Sequence, residues 1–263
     1  MNYSCALVTG ASSGLGEEFA RQLATDSGTL VLVARRRERL EALAADLLKI
    51  APQLQVAIFV KDLCREEDRL SLREECVAQG LEPDFLVNNA GRGDYGDFSA
   101  ADWETTRQMM TLNMEAVTHL THLFLPGLMR QRGALLNVSS LAGDMPIPDF
   151  AVYAATKAFV SSFTDAIRIE LREAGVSVTA LCPGPIKTEF GEQARRGDEG
   201  KLPVQESFYV RAEDAVFGAL AAVRRDRPRH YPGWKVAAAA VVIGVLPLFA
   251  LRGVMAKRPR RAK

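Results

Sequence analysis

Cysteine and histidine are scarce in this chain of 263 residues, which contains four cysteines and three histidines. The cysteines are scattered, with no Cys-x-x-Cys pair and no histidine at a metal-ligand spacing, so neither a disulfide scaffold nor a metal site is expected. Cys5 and Cys182 lie inside apolar runs, and buried thiols suit a reducing compartment. Because the first residues enter an apolar run directly, we expect no secretory signal and a cytoplasmic location.

A large net charge is also missing, since the chain has 33 basic and 32 acidic residues. The distribution is nevertheless uneven, because residues 235–263 contain seven Lys or Arg and no acid. Residues 1–234 are left with 26 basic and 32 acidic side chains, a net charge of −6. A mildly acidic body is a poor ligand for nucleic-acid phosphates, so no nucleic-acid partner is expected.

No internal repeat or low-complexity linker divides the chain; instead, short apolar runs alternate with helix-length amphipathic segments. This alternation predicts an α/β fold with a parallel sheet covered on both faces. Six strands are predicted at Ala6–Val8, Thr29–Ala34, Val56–Val60, Phe85–Asn88, Ala134–Ser139 and Val176–Cys182. The main helices are predicted at Leu15–Thr25, Arg37–Ile50, Glu66–Gln79, Trp103–Arg132 and Phe150–Ala174. We expect one domain over residues 1–234, with a polar lid at about 189–209.

A glycine-rich turn, Thr9-Gly10-Ala11-Ser12-Ser13-Gly14-Leu15-Gly16, joins the first predicted strand to the first helix. Glycines allow the backbone to approach a ligand closely, and a helix N-terminus offers free N–H groups to a phosphate. No Lys follows the last glycine, so the turn is not a P-loop. Its position between a strand and a helix favours dinucleotide binding.

The end of the second strand carries arginines where an NAD-binding site would carry an acid. A guanidinium group suits a 2′-phosphate, so the sequence predicts a preference for NADP(H). We expect Arg35 to make the main contact and Arg36 to assist. Arg37 and Arg39 are interpreted as the solvated face of the following helix.

Tyr153 and Lys157 are four residues apart at the start of a predicted helix and therefore share one face. A nearby ammonium favours the phenolate and lowers the pKa of a tyrosine. Ser140 follows a predicted strand, at the sheet edge where open α/β sheets bind their ligands.

Taken together, these motifs resemble the short-chain dehydrogenase/reductase family, in its single-domain, Rossmann-type branch, over roughly residues 3–232. The family's order and spacing are matched by Thr9–Gly16, Asp62-Leu63, Asn88-Asn89-Ala90-Gly91, Asn113, Ser140, Tyr153 with Lys157, and Pro183–Thr188. The resemblance implies a doubly wound sheet of about seven strands and an enzyme acting on CH–OH or C=O groups with NADP(H).

The resemblance also implies roles for single residues. Tyr153 would protonate the carbonyl oxygen, Ser140 would hydrogen-bond it, Lys157 would hold the nicotinamide ribose and lower the pKa of Tyr153, and Asn113 would anchor a water. The cofactor would be held by Gly10, Ser12, Ser13, Gly14, Leu15, Gly16, Arg35, Arg36, Asp62, Leu63, Asn89, Ala90, Gly91, Tyr153, Lys157, Pro183, Gly184, Ile186 and Thr188.

The expected substrate is a hydrophobic ketone or aldehyde, or the corresponding secondary alcohol. Apolar residues predicted to close the pocket point this way: Leu141, Met145, Ile147, Phe150, Phe190, Phe208 and Tyr209. Two alternatives stay open, a 3-oxoacyl reductase acting on acyl carriers and a non-catalytic NADP(H)-sensing protein. A homodimer or homotetramer is expected, because small residues on the long helix after Phe150 allow close helix packing.

Residues 235–263 form an apolar tail with basic ends, in which Val236–Leu251 contains no charge. Sixteen helical residues span about 24 Å, short of the hydrocarbon core of a bilayer, whereas 236–256 would reach about 31 Å. Three interpretations are open: association with a membrane surface, packing on a partner subunit, and folding back over the substrate mouth. The basic ends favour the first.

Overall fold

A computed structural model describes residues 3–196 and 208–257 of the chain, and seven parallel strands form one sheet in its centre. The strands are β1 Tyr3–Thr9, β2 Ser27–Ala34, β3 Gln55–Val60, β4 Phe85–Asn88, β5 Ala134–Val138, β6 Ser177–Leu181 and β7 Arg229–His230. Their order across the sheet is β3-β2-β1-β4-β5-β6-β7, and every neighbouring pair is parallel. The predicted doubly wound α/β fold is confirmed.

Helices cover both faces of this sheet. They are α1 Gly14–Leu23, α2 Arg37–Ile50, α3 Glu66–Ala78, α4 Trp103–Met110, α5 Ala116–Gln131, α6 Ala151–Glu170, α7 Glu189–Gln193, α8 Ala212–Arg224, α9 Trp234–Val245 and α10 Leu248–Ala256. One core contains α1, α2 and α8 side chains, and the other contains side chains of α3 and α5. Alternate residues of β1 enter the two cores, Ala6 and Val8 on one side and Cys5 and Leu7 on the other, as the pleat of a buried strand requires.

The helix predicted at Trp103–Arg132 is interrupted. Between α4 and α5 the residues Thr111–Glu115 form a π-helical turn, and Asn113 lies inside it. A π-turn inserts one extra residue per turn and re-aims the side chains that it carries. The helix ends at Arg132, which adopts a left-handed conformation with φ of 50°.

The apolar tail folds as two short helices rather than one. Leu246 is extended and Pro247 caps the start of α10, because proline has no N–H to continue the hydrogen-bond ladder of α9. Within residues 3–196 and 208–257, no helix combines the length and the apolar character needed to cross a membrane.

A buried amide network ties the centre of the sheet to the helices on one face. The Asn88 side chain donates to Asn137 Oδ1 at 2.9 Å and to Thr121 Oγ1 at 3.0 Å, and the Asn137 side chain donates to Thr164 Oγ1 at 2.9 Å. All four residues are buried. Most buried polar groups in proteins are hydrogen-bonded, so the donors and acceptors that pair in this network depend on one another.

Replacing Asn137 by Ala should leave one of the two N–H groups of the buried Asn88 amide without an acceptor, since the other still donates to Thr121 Oγ1. We expect the free energy of unfolding to fall by about 1–3 kcal/mol, the usual cost of an unsatisfied buried donor. Urea denaturation measures the change. Gln131→Ala, which removes an exposed side chain, is the matched control and should cost less than about 0.5 kcal/mol. Equal stability of the two variants would contradict the role given to the network.

Candidate active site

The main crevice lies at the carboxyl ends of the strands, where β1 and β4 are neighbours and the helices that follow them diverge. Most of the predicted site residues line it: Gly10, Ser12, Ser13, Gly14, Leu15, Arg35, Arg36, Asp62, Leu63, Asn89, Ala90, Gly91, Ser140, Tyr153, Lys157, Pro183, Gly184, Ile186 and Thr188. Gly16 and Asn113 lie behind its walls.

Three glycines shape the turn after β1. Gly10 and Gly14 have φ values of +67° and +59°, a region that residues with a side chain rarely adopt. A Cβ on Gly16 would lie 2.2 Å from the Gly10 carbonyl oxygen. The Asn89 side chain braces the same turn by donating to the Thr9 carbonyl at 2.8 Å. The turn therefore requires glycine and leaves a backbone cradle open to a phosphate.

A basic corner adjoins this turn. Arg36 donates from Nη2 to the Ser13 hydroxyl at 2.8 Å, and from Nε and Nη2 to the Ser12 hydroxyl at 3.2 and 3.1 Å. Arg35 is exposed at the edge of the crevice. Sequence reasoning ranked Arg35 first, whereas Arg36 is the arginine that contacts the glycine turn. Asp62 lies at the same end, with its backbone N–H held by Asp68 Oδ2 at 2.7 Å.

Ser140, Tyr153 and Lys157 meet at the other end of the crevice. The Ser140 hydroxyl donates to the Pro183 carbonyl at 3.3 Å, accepts from the Ala142 N–H at 3.1 Å and lies close enough to Tyr153 to lower the pKa of its phenol. Lys157 donates from Nζ to the Val138 carbonyl at 2.8 Å, and the same atom lies 5.7 Å from the centre of the Tyr153 ring. One turn of α6 thus places a phenol and an ammonium side by side, beside the hydroxyl that follows β5.

Burial controls the protonation of this pair. Loss of solvent raises the pKa of Tyr153 to about 12, against a smaller lowering by the Ser140 hydrogen bond. Loss of solvent also lowers the pKa of Lys157 to about 8. The resemblance implies that Lys157 lowers the pKa of Tyr153; in the structure, burial sets the direction of the shift, and Lys157 Nζ is hydrogen-bonded to the Val138 carbonyl. At neutral pH the phenol is protonated and can donate a proton.

Asn113 is fully buried behind Lys157. Its side chain donates to the Arg92 carbonyl at 2.9 Å and to Thr156 Oγ1 at 3.0 Å, and it accepts from the Arg92 N–H at 3.0 Å. A Cβ on Gly91 would lie 3.2 Å from Asn113 Oδ1 and 3.5 Å from Lys157 Nζ. Gly91 therefore lies close to both the Asn113 and the Lys157 side chains. Sequence reasoning did not identify Thr156 as a partner, because only the π-turn aims Asn113 at it.

The wall of the crevice beside Tyr153 is aromatic. The Phe150 ring stacks on Tyr153 with centroids 4.1 Å apart, and Phe190 lies 5.6 Å from the same ring. Tyr95 packs edge-on against Phe150 at 5.6 Å. The remaining predicted wall residues also line the crevice, namely Leu141, Met145, Ile147, Phe208 and Tyr209. Of the predicted lid at 189–209, residues 197–207 lie outside the described residues.

Two residues of the C-terminal tail complete the wall, Val254 and Met255 of α10. The tail is anchored beside them, because Val236 is buried and a Cβ on Gly184 would lie 2.8 Å from its side chain. The apolar run could be recognised in the sequence, but its contact with the crevice could not.

Comparison with known proteins assigns the family. A model described as short chain dehydrogenase matches residues 4–199, so the chain belongs to the short-chain dehydrogenase family. A curated relative, sulfoacetaldehyde reductase 2 of Chromohalobacter salexigens, is 37% identical over 80% of this chain and 84% of its own length.

Solved structures agree with this assignment. A short-chain dehydrogenase from Sphingobium yanoikuyae in complex with NADPH is 31% identical, with a TM-score of 0.80 over 99% of this chain and 98% of its own. The bulky-bulky ketone specific alcohol dehydrogenase from Comamonas testosteroni is 25% identical, with a TM-score of 0.78 over 100% of this chain and 98% of its own.

The Lys157→Met variant measures the cost of burying the Lys157 charge. The folded pKa of about 8 lies below the ordinary value of 10.5, so the unfolded chain binds more protons between pH 8 and 10 and stability rises with pH there. Below pH 8 Lys157 is protonated in both the folded and the unfolded chain, so the cost of burying its charge has its full size.

From pH 8 to 10 we expect the free energy of unfolding of the wild-type protein to rise by on the order of 1 kcal/mol relative to Lys157→Met, as measured by urea denaturation. The range stops at pH 10, because the raised pKa of Tyr153 has the opposite effect above it. Parallel pH profiles for the two proteins would contradict the predicted burial cost.

Proposed function

We propose that the protein is an NADP(H)-dependent oxidoreductase that interconverts a hydrophobic ketone or aldehyde and its secondary alcohol. The observation that carries this proposal is the meeting of Ser140, Tyr153 and Lys157 in one crevice with the glycine turn and the basic corner. Family membership supports the reaction class.

The residues present fit a nicotinamide dinucleotide. The tight backbone turn at Gly10–Gly16, where a Cβ on Gly16 would clash with the Gly10 carbonyl oxygen, suits the pyrophosphate. Arg36 with Ser12 and Ser13, and Arg35 at the edge, suit a 2′-phosphate. Ile186 and Thr188 are proposed to contact the nicotinamide end. When bound, the cofactor supplies or accepts the hydride.

The protein's own side chains handle the oxygen and the proton. Ser140 and Tyr153 both present hydroxyl donors to a carbonyl oxygen, so they polarise it and stabilise negative charge as it develops. Tyr153 then donates its proton, which its raised pKa keeps in place at neutral pH. Lys157 and Asn113, both buried, are proposed to hold the ribose and to anchor the proton path.

The substrate class rests on the aromatic wall. Phe150 and Phe190 pack against the Tyr153 ring and Tyr95 packs against Phe150, while Val254 and Met255 add aliphatic surface. Apolar walls around a small polar centre favour a ligand whose carbonyl is flanked by apolar groups. The related alcohol dehydrogenase from Comamonas testosteroni is named for its specificity for bulky-bulky ketones, which agrees with this choice.

Replacing Tyr153 by Phe should lower kcat for NADPH-dependent reduction of an apolar ketone by about 10²- to 10⁴-fold, because the proton donor is lost. Cofactor affinity, followed by NADPH fluorescence, should stay close to the wild-type value. Tyr209→Phe removes a second hydroxyl from the same crevice and is the matched control, with kcat within about threefold of the wild type. Activity that survives in Tyr153→Phe would reject the mechanism.

We further propose a homo-oligomer. Helix α6 leaves Phe159 and Ile169 exposed on its outer face, and Phe159 stacks on Phe163 there. Apolar side chains on the outer face of a long helix support packing against a second copy of the chain.

We also propose that the tail docks on an anionic lipid surface. Large apolar side chains are exposed along α9 and α10: Trp234, Val241, Val242, Val245, Leu248, Phe249 and Val254. Lys235 and Lys257 flank these helices, and four more bases follow in the sequence. Exposed apolar residues between basic ends suit insertion at the level of lipid headgroups. The crevice wall at Val254 and Met255 would then lie close to the lipid.

Replacing Phe249 by Asp should weaken binding to vesicles of equal parts phosphatidylcholine and phosphatidylglycerol by about tenfold or more, since an exposed ring proposed to enter the lipid is replaced by a charge. Co-sedimentation measures the bound fraction. Phe217→Asp, on the similarly exposed ring of α8, is the control and should bind as the wild type does. Wild-type protein that stays in the supernatant with these vesicles would overturn the proposal.

A further inference from the structure

A carboxylate joins the two sides of the crevice at the basic corner. Glu189, the first residue of α7, accepts from Arg36 Nη1 at 3.0 Å through Oε2 and from Arg39 Nη1 at 2.5 Å through Oε1. The arginines belong to the segment after β2, whereas Glu189 belongs to the segment after β6. Hydrogen bonds from Arg39 and then Arg36 lower the pKa of Glu189, so the group is charged at neutral pH.

Arg36 has two kinds of partner. Its Nε and Nη2 atoms donate to the neutral oxygens of Ser12 and Ser13, which hold the guanidinium against the glycine turn. Its Nη1 atom donates to Glu189. Among the described residues, Glu189 is the single anionic side chain paired with Arg36, and it is also the partner of Arg39.

A 2′-phosphate at this corner would compete with that carboxylate. The hydroxyls of Ser12 and Ser13 and the guanidinium of Arg36 form a donor set for a phosphate beside the glycine turn. A phosphate dianion beside Ser12 and Ser13 and the Glu189 carboxylate on Arg36 Nη1 would lie on the same guanidinium and repel each other. A dinucleotide without the 2′-phosphate brings no such competitor.

We propose that Glu189 is a specificity-determining residue whose ion pairs with Arg36 and Arg39 are displaced by the 2′-phosphate, so that only a 2′-phosphorylated dinucleotide frees α7. The inference rests on the proposed function, because it takes NADP(H) as the ligand. Without the 2′-phosphate, Glu189 keeps α7 tied to the segment after β2.

The position of α7 gives this exchange a consequence at the catalytic end. Phe190 follows Glu189 directly and lies 5.6 Å from the Tyr153 ring. At its other end α7 stays attached, because the Ala194 carbonyl accepts from the Tyr95 N–H at 2.6 Å and Arg196 pairs with the buried Asp94. Release of Glu189 therefore loosens the first turn of α7, which carries the aromatic residue that packs toward Tyr153.

Binding of cofactor fragments tests the competition without any turnover. Isothermal titration calorimetry compares 2′,5′-ADP with 5′-AMP on the wild-type protein, Glu189→Gln and Glu192→Gln. Glu192→Gln removes the same charge from the same helix, but Glu192 has no ion pair with either arginine. We expect Glu189→Gln to bind 2′,5′-ADP about three- to tenfold more tightly than the wild type, and both variants to bind 5′-AMP within about twofold of it.

Hydrogen–deuterium exchange of the amides of residues 190–193 provides the second readout. In the wild-type protein, 2′,5′-ADP should raise their exchange rate and 5′-AMP should not. In Glu189→Gln the rate should be high from the start and should not respond to either fragment.

The outcomes distinguish the displacement of Glu189 from the proposed NADP(H) preference on which it rests. Wild-type protein that binds 2′,5′-ADP no more tightly than 5′-AMP would reject the NADP(H) preference itself. A clear preference that Glu189→Gln leaves unchanged or weakens would overturn the displacement alone; weakening would mean that Glu189 orients the arginines for the phosphate.

Discussion

The parallel pairing of β1 with β4 is the constraint on which the rest of the structure depends. Because the chain passes from β3 back across the sheet to β4, the segments after β1 and β4 leave in opposite directions and a crevice opens between them. The glycine turn lies on one side, and Ser140, Tyr153 and Lys157 lie on the other. Parallel register puts the carboxyl ends of β4, β5 and β6 at one edge, so groups more than 100 residues apart face one another.

The catalytic end of the crevice combines burial with charge. The Lys157 ammonium is buried and donates a hydrogen bond to the Val138 carbonyl. Its pKa is lowered because burial disfavours the charged form. The same desolvation keeps Tyr153 protonated. A site that stabilises a developing negative charge needs such a dry environment, since hydrogen bonds and charges act more strongly there than in water. Burying Lys157 on α6 therefore lowers the stability of the fold, and it places a polar centre inside an apolar wall.

The segments that follow β6 close around this centre. Helix α7 reaches the basic corner through Glu189 and the Tyr153 ring through Phe190, so a single short helix touches both ends of the crevice. Helix α10 supplies Val254 and Met255 to the wall while the apolar residues of α9 and α10 remain exposed. The basic corner, the wall of the crevice and the surface of the tail are thus connected through segments that follow β6.

The sequence by itself determined the fold class, six of the seven strands and many of the residues that line the crevice, because strand alternation and glycine spacing are local patterns with direct physical causes. It did not reveal the two-residue strand β7, which has too few residues for a periodic signal. Tertiary structure alone decided that Arg36 rather than Arg35 contacts the glycine turn, that a π-turn aims Asn113 at Thr156, and that Glu189 spans the crevice. These contacts join residues from 23 to 153 positions apart, and their geometry follows from packing rather than from local spacing.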